Sequence, residues 1–222
     1  VPIVDTDEVF PAVYVDDFEV DGDVTKAVWS KAKSLPQFRP PRSPDPIPYL
    51  SDVRIVYSKT AFYVGATLWQ DMSKMHCKWD QRDQPVWGDD NLEMFLYLPS
   101  DKGNRLYQYV INPLGIVADI CEGNRAYWTR GMKVKARRFP DRWTFEWKFP
   151  FAGIPVERPV AGDYFGVRFC RTVHEPKRGV GTVPVLQQSG HGQRGRFAKL
   201  LFMKPEGPDA AKMIAEGEAY RT

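Results

Sequence analysis

From residue 142 to residue 149 the chain alternates without a break. Trp143, Phe145, Trp147 and Phe149 fall on one side, and Arg142, Thr144, Glu146 and Lys148 on the other. Successive side chains of an extended strand point to opposite faces, so this stretch reads as a strand with one apolar face. Two indoles and two phenyl rings on one face demand a second apolar layer opposite them. The alternation returns at 53–57, 61–69, 91–98, 105–112 and 163–173, with weaker patterns at 116–120, 133–139 and 196–202. Within 61–69, Phe62, Val64, Ala66 and Leu68 share one face, and Tyr63, Thr67 and Trp69 the other. Ser58-Lys59-Thr60 and the run from Pro99 to Gly103 separate neighbouring strands as hairpin turns do. Roughly nine strands with no crossover helices between them pair antiparallel. The fold class that follows is all-β: an antiparallel, jelly-roll-like β-sandwich with short peripheral helices.

Punctuation between the strands supports this. A short helix is expected at 24–32, with Asp23 as its N-cap after the tight turn Asp21-Gly22-Asp23. Six prolines between Pro36 and Pro48 exclude a helix or a central strand there. The tail at 208–220 reads as a helix with a weak apolar stripe at Ala210, Met213 and Ile214. No repeat or second domain is visible, so 1–222 is read as one domain, with a core at 14–203 and a helical tail at 204–222. At 222 residues and 43% hydrophobic content the chain can bury a real core without staples. The net charge of +3 comes from interspersed signs, which points away from nucleic acid. No apolar run reaches the ~18 residues of a membrane span. Cys77, Cys121 and Cys170 form no C-x-x-C pair, which argues against a zinc ribbon and leaves one bridge or three thiols open.

Three segments carry a family likeness. They are Val20-Asp21-Gly22-Asp23 leading to Val28-Trp29; Val86-Trp87-Gly88-Asp89-Asp90-Asn91-Leu92-Glu93; and Tyr107-Gln108-Tyr109-Val110-Ile111-Asn112-Pro113-Leu114-Gly115, followed by Asp119. Their order and spacing resemble the family 9 carbohydrate-binding modules, over about residues 14–203. The resemblance implies a β-sandwich that binds sugars without turning them over, often as part of a larger secreted protein. It implies a sugar-clamping Trp at Trp87, a carboxylate at Glu93, an amide at Asn112, and calcium ions in structural roles. A secreted, periplasmic or cell-surface location is expected with it, any leader having been removed. Two family positions differ here. The Arg two residues before the Asn is Val110, and the last loop, 183–194, has no second clamping Trp, only Gln187, Gln188, His191, Gln193 and Arg194.

The residues can also be read without the likeness. An exposed indole offers a flat apolar face to a sugar ring, and acids or amides take its hydroxyls. Trp87 follows Pro85 in a polar loop, where it either meets ligand or anchors the loop to the sandwich edge. Glu93 is out of phase with Leu92, Met94 and Leu96, so it faces away from the core with Asn91, Phe95 and Tyr97. There it either joins a platform or a solvated face. Tyr107 and Tyr109 are expected to extend that platform. Asn112 is a ligand contact or a turn cap. Asp90 and the basic loop at Arg194 complete the candidate set for a polysaccharide or oligosaccharide, with Arg194 favouring an anionic or unusual sugar. Asp21, Asp23 and Asp89 are the weak candidates for calcium. The stripe Lys133, Lys135, Arg137 and Arg138 is a solvated face or a site for acidic polysaccharide.

Other functions leave thinner traces. A glycosidase needs two carboxylates across a cleft, for which Asp90 and Glu93 stand nearest, and His174 or His191 could assist. Met72, Met75 and His76 cluster in one loop and offer soft haem ligands. A protein-interaction sandwich is the remaining alternative.

Overall fold

The alternating segments become strands in a computed structural model that describes residues 5–99, 101, 104–188, 195–207 and 210–219. In chain order they are β1 (Val9–Tyr14), β2 (Ser51–Tyr57), β3 (Ala61–Trp69), β4 (Asn91–Tyr97), β5 (Leu106–Ile111), β6 (Val117–Cys121), β7 (Lys133–Phe139), β8 (Arg142–Pro150), β9 (Tyr164–Val173), β10 (Gly179–Val183) and β11 (Ala198–Phe202), with helices α1 (Ala27–Ser30) and α2 (Ala210–Ala219). None of the described helices is long and apolar enough to cross a membrane.

One layer runs β2-β3-β8-β7, antiparallel throughout. The other runs β6-β5-β4-β9, also antiparallel. The free edge of β9 is divided: residues 164–167 pair with β11 and residues 169–173 with β10. β1 joins the layers, pairing in parallel with β11 through Val9–Ala12 and with β2 through Val13 and Tyr14. The wholly antiparallel expectation is corrected at this strand. Residues 15–50 separate β1 from β2, and a connection of that length permits parallel pairing.

The inward faces close into one core. Phe62 and Phe149 are register partners whose rings stack at 4.6 Å. The edge of Tyr109 meets Phe149 at 4.9 Å. Leu92, Met94 and Leu96 of β4 join them, as do Phe165, Val167 and Phe169 of β9. The prolines do exclude regular structure from 36–48, yet that loop is not merely superficial. Phe38 is fully buried and Arg39 bridges to Thr182 of β10. Gly181 permits the approach, since a Cβ there would lie 2.9 Å from the Arg39 nitrogen.

The outward face of the first layer is sealed by the segment at 15–32. The carboxylate of Glu146, fully buried on β8, accepts from the backbone N–H of Asp21 (2.7 Å) and Gly22 (3.0 Å), from Nζ of Lys26 (2.7 Å) and from Nε1 of Trp29 (2.8 Å). The Trp29 indole lies over Gly65, where a Cβ would come within 2.7 Å of the ring. The expected helix shrinks to the single turn α1. Asp23 does not cap it; its carboxylate takes the Thr25 N–H at 2.9 Å instead, forming a turn ahead of the helix. Half of the basic stripe on β7 is also committed here, with Arg137 pairing with Asp21 and Asp23 and Lys133 with Glu19.

Removing one partner from a buried ionic cluster strands the others. Glu146→Ala is therefore expected to cost about 3–5 kcal/mol of unfolding free energy, measured by urea denaturation, whereas Lys135→Ala on the solvated stripe stays within about 0.5 kcal/mol of the parent.

Candidate functional site

Pro85 opens a single 3-10 turn, Val86–Gly88. Val86 is buried against Val110 and Ala118, so the next side chain, Trp87, projects outward and is 37% exposed. The two aspartates that follow turn inward and are fully buried. Asp89 accepts from the backbone N–H of Lys78 (2.8 Å) and Trp79 (3.2 Å) and from Nδ2 of Asn112 (2.9 Å). Asp90 accepts from Nε2 of Gln70 (2.7 Å), the His76 N–H (2.9 Å), the His174 N–H (2.8 Å) and, at 3.0 Å, Nδ1 of the His174 ring. Asn91 completes the knot, donating to the carbonyls of Trp87 and Asp89. Cys77 lies beside this pair; burial, and then the charges of Asp89 and Asp90, push its thiol up to about 12. All three cysteines are free thiols.

The outer face of β4 is not the open platform its alternation suggests. Asn91, Glu93, Phe95 and Tyr97 are all buried. Phe197, just before β11, covers Tyr97 at 4.7 Å between ring centroids. The guanidinium of Arg168 lies between Phe95 (4.9 Å) and Phe197 (4.6 Å). This roof ends short of Glu93. Beyond it lies a groove of about 590 Å³, floored by Glu93, Gln108 and Thr172. Trp87 and Gly88 form one wall; Pro41, Val180 and Thr182 form the other; His174 and Arg178 also line it. Nε2 of Gln108 donates to Oε2 of Glu93 at 2.7 Å. Against the Asp90 carboxylate, Nδ1 of His174 is the donor. The His76 ring lies on the His174 ring at 4.5 Å. From the loop after β6, the Arg125 guanidinium sits over the Trp87 ring, 5.6 Å from its centroid.

Of the residues singled out by sequence, Trp87 and Glu93 come together on this groove. Tyr109 does not. Its register partner is Met94, so it and Tyr107 point into the core; the correction is one of strand phase. Gln108 and Val110 are β5 residues on the Glu93 face, and of the two only Gln108 lines the groove. Asp90 and Asn112 lie beneath the groove as struts. The Asn112 amide donates to the Trp79 carbonyl (2.9 Å) as well as to Asp89, and its oxygen accepts from the N–H of Leu114 (3.1 Å) and Ile116 (3.0 Å). Arg194 and His191 lie outside the described residues.

The calcium candidates do not fit a cation. Asp21 faces Lys26 and Arg137; the Lys26 hydrogen bond first, and then the Asp23 N–H, hold its pKa well below the carboxylate range. Asp23 faces Arg137, and Asp89 is occupied by three N–H donors. No three His, Cys, Asp or Glu side chains among the described residues gather as a metal site. Met72 packs against the core. Sequence reasoning missed Arg178, Val180 and Thr182 as groove residues because β10, with glycines at two of its five positions, carries little strand signal.

An Asn112→Ala variant leaves two backbone N–H groups without their acceptor and takes one of three donors from the buried Asp89 carboxylate. It is expected to lose about 1–3 kcal/mol of stability in chemical denaturation, while Trp87→Ala changes the midpoint hardly at all.

No family model matches the sequence, and no curated protein matches it. Solved structures do match in shape. A family 9 carbohydrate-binding module from Caldicellulosiruptor kristjanssonii, solved with cellotriose, superposes with a TM-score of 0.64 over 91% of this chain and 97% of its own, at 15% identity. The module from that organism solved with glucose gives 0.64 over 90% and 98%, at 16% identity. A candidate carbohydrate-binding protein from Bacteroides uniformis gives 0.70 over 88% and 99%, at 13% identity. At these identities the likeness is one of architecture: the chain has the fold of the family 9 carbohydrate-binding modules.

Proposed function

We propose that the chain is a non-catalytic glycan-binding module whose ligand lies in the groove beside Trp87. The observation that carries this reading is a part-exposed indole at the rim of a groove of about 590 Å³, with the hydrogen-bonded pair Glu93 and Gln108 on its floor. A pyranose presents an apolar C–H face and a polar edge. The indole takes the first, and the carboxylate and amide take hydroxyls of the second. The His174 ring, which also lines the groove, adds a polar edge. Pre-organisation supports the reading as well. The Asp89–Asp90 knot fixes the turn carrying Trp87, so little ordering entropy remains to be lost on binding. The neighbours solved with cellotriose and glucose make saccharide the natural first ligand class to test. The reading places the chain outside the cytoplasm, where polysaccharide is met.

Catalysis by Asp90 and Glu93 is disfavoured by the same geometry. Asp90 is fully buried and engaged by four donors, and among the described residues Glu93 is the one carboxylate lining the groove.

A glycan array followed by titration calorimetry tests the proposal. Trp87→Ala is expected to weaken binding of the best glycan at least tenfold, about 1.4 kcal/mol, without lowering the Tm. Glu93→Gln is expected to weaken it less. Undiminished binding by Trp87→Ala, or no glycan bound by the parent, overturns the reading.

A further inference from the structure

The arginines bear on which glycans this groove accepts. Five arginines elsewhere on the described chain hold carboxylates: Arg54 pairs with Asp52, Arg105 with Asp101, Arg137 with Asp21 and Asp23, Arg142 with Asp141, and Arg82 with Asp83 and Asp119; Arg171 is spent on the backbone carbonyls of Tyr49, Leu50 and Trp69. Two arginines at the groove are different. Arg178 lines it, is exposed, and has no hydrogen bond or ion pair among the described residues. Arg125 touches the Trp87 ring and has no ion pair among the described residues either.

The opposing charges are already met from within. Asp90 is saturated by four donors. Glu93 is bonded by Gln108, and the buried guanidinium of Arg168 lies in its field. What remains directed outward is positive, and it flanks the indole. A guanidinium is a planar fork suited to carboxylate and sulfate, and it is stronger against either than against a neutral hydroxyl.

Resting on the glycan reading above, we propose that the groove takes an anionic saccharide, one whose sugar ring lies on Trp87 while its carboxylate or sulfate is gripped by Arg178, with Arg125 adding attraction at the rim. Both acid groups share this chemistry, and the choice between them is made by experiment. Glu93 then serves the hydroxyl edge of the ring, away from the acid group.

The test is titration calorimetry on the whole chain with three oligosaccharides of equal length: an oligogalacturonate, a sulfated galactan fragment and a cello-oligosaccharide. Each is run at low salt and again at about 0.15 M, where the Debye length is near 8 Å. One acidic chain is expected to bind at least tenfold more tightly than the neutral one, with a preference that shrinks as salt rises. Arg178→Gln is expected to erase most of that preference and Arg125→Gln part of it, with the Tm unmoved. Lys135→Gln, on β7, removes the same charge and is expected to change nothing. A neutral chain bound as tightly as both acidic ones, or a preference that survives both arginine variants, overturns the anionic assignment and leaves the glycan reading standing if Trp87→Ala still abolishes binding. Acidic binding that is indifferent to Trp87→Ala, or equally sensitive to Lys135→Gln, identifies general charge attraction and overturns both. So does the absence of binding to all three.

Discussion

A carboxylate shut away from water must be met by donors on every side, and in this chain Asp90 organises its surroundings through that need. Its two oxygens gather a glutamine from the end of β3, a backbone amide from the following loop, and both the backbone and the ring of His174 at the end of β9. Three segments far apart in sequence are thereby drawn to one point. Burial lowers the affinity of the nearby Arg171 guanidinium for its proton, and the charge of Asp90 opposes that effect. Asp89 repeats the arrangement one residue earlier for Lys78, Trp79 and Asn112, and Glu146 does so across the molecule for the segment at 21–29. The sheets supply the core; these buried acids decide where the loops lie upon it.

The site follows from a mismatch between two coverings. On the outer face of β4, Phe197 and Arg168 roof Phe95 and Tyr97, while the roof stops before Glu93. At the other end, Val86 anchors the turn and leaves Trp87 standing over the uncovered part. β10, held close to the proline-rich loop through Gly181, closes the far wall. No single element forms the groove. It is the portion of a sheet face that two separately anchored coverings fail to reach.

Much of the sandwich was legible because period-2 alternation depends only on which residues the core accepts. β3 and β7 fall at their expected limits and β8 within one residue of them. β1 and β10 were not legible: one contains a proline and changes layers midway, the other is glycine-rich, so neither shows a clean alternation. Of the candidate site, Trp87 and Glu93 were visible from their phase and loop context. Asn112 was legible as a turn cap, one of its two readings, and its oxygen does cap the turn at 112–116; the role of Asp90 was not legible, because a polar residue in a loop reads the same whether its partner is a sugar or a backbone amide. Tyr109 was misplaced because aromatic residues suit a core and a binding platform equally, and only the pairing of β5 with Met94 and Leu96 separates the two.

The segments that carried the family likeness turn out to be mostly scaffold: Trp29 and the Asp21-Gly22-Asp23 turn on Glu146, Asp89 and Asp90 on the loops, and Asn112 on its own turn. The residues that give the likeness its order therefore answer to packing and to backbone hydrogen bonds. Val110 shows the substitution at its clearest. It stands where the likeness places an arginine, is fully buried, and packs under Val86 and so under the turn that presents Trp87. A cation cannot be supplied from a position filled by a packed isopropyl group, and the exposed guanidinium in the groove is contributed instead by Arg178 at the start of β10.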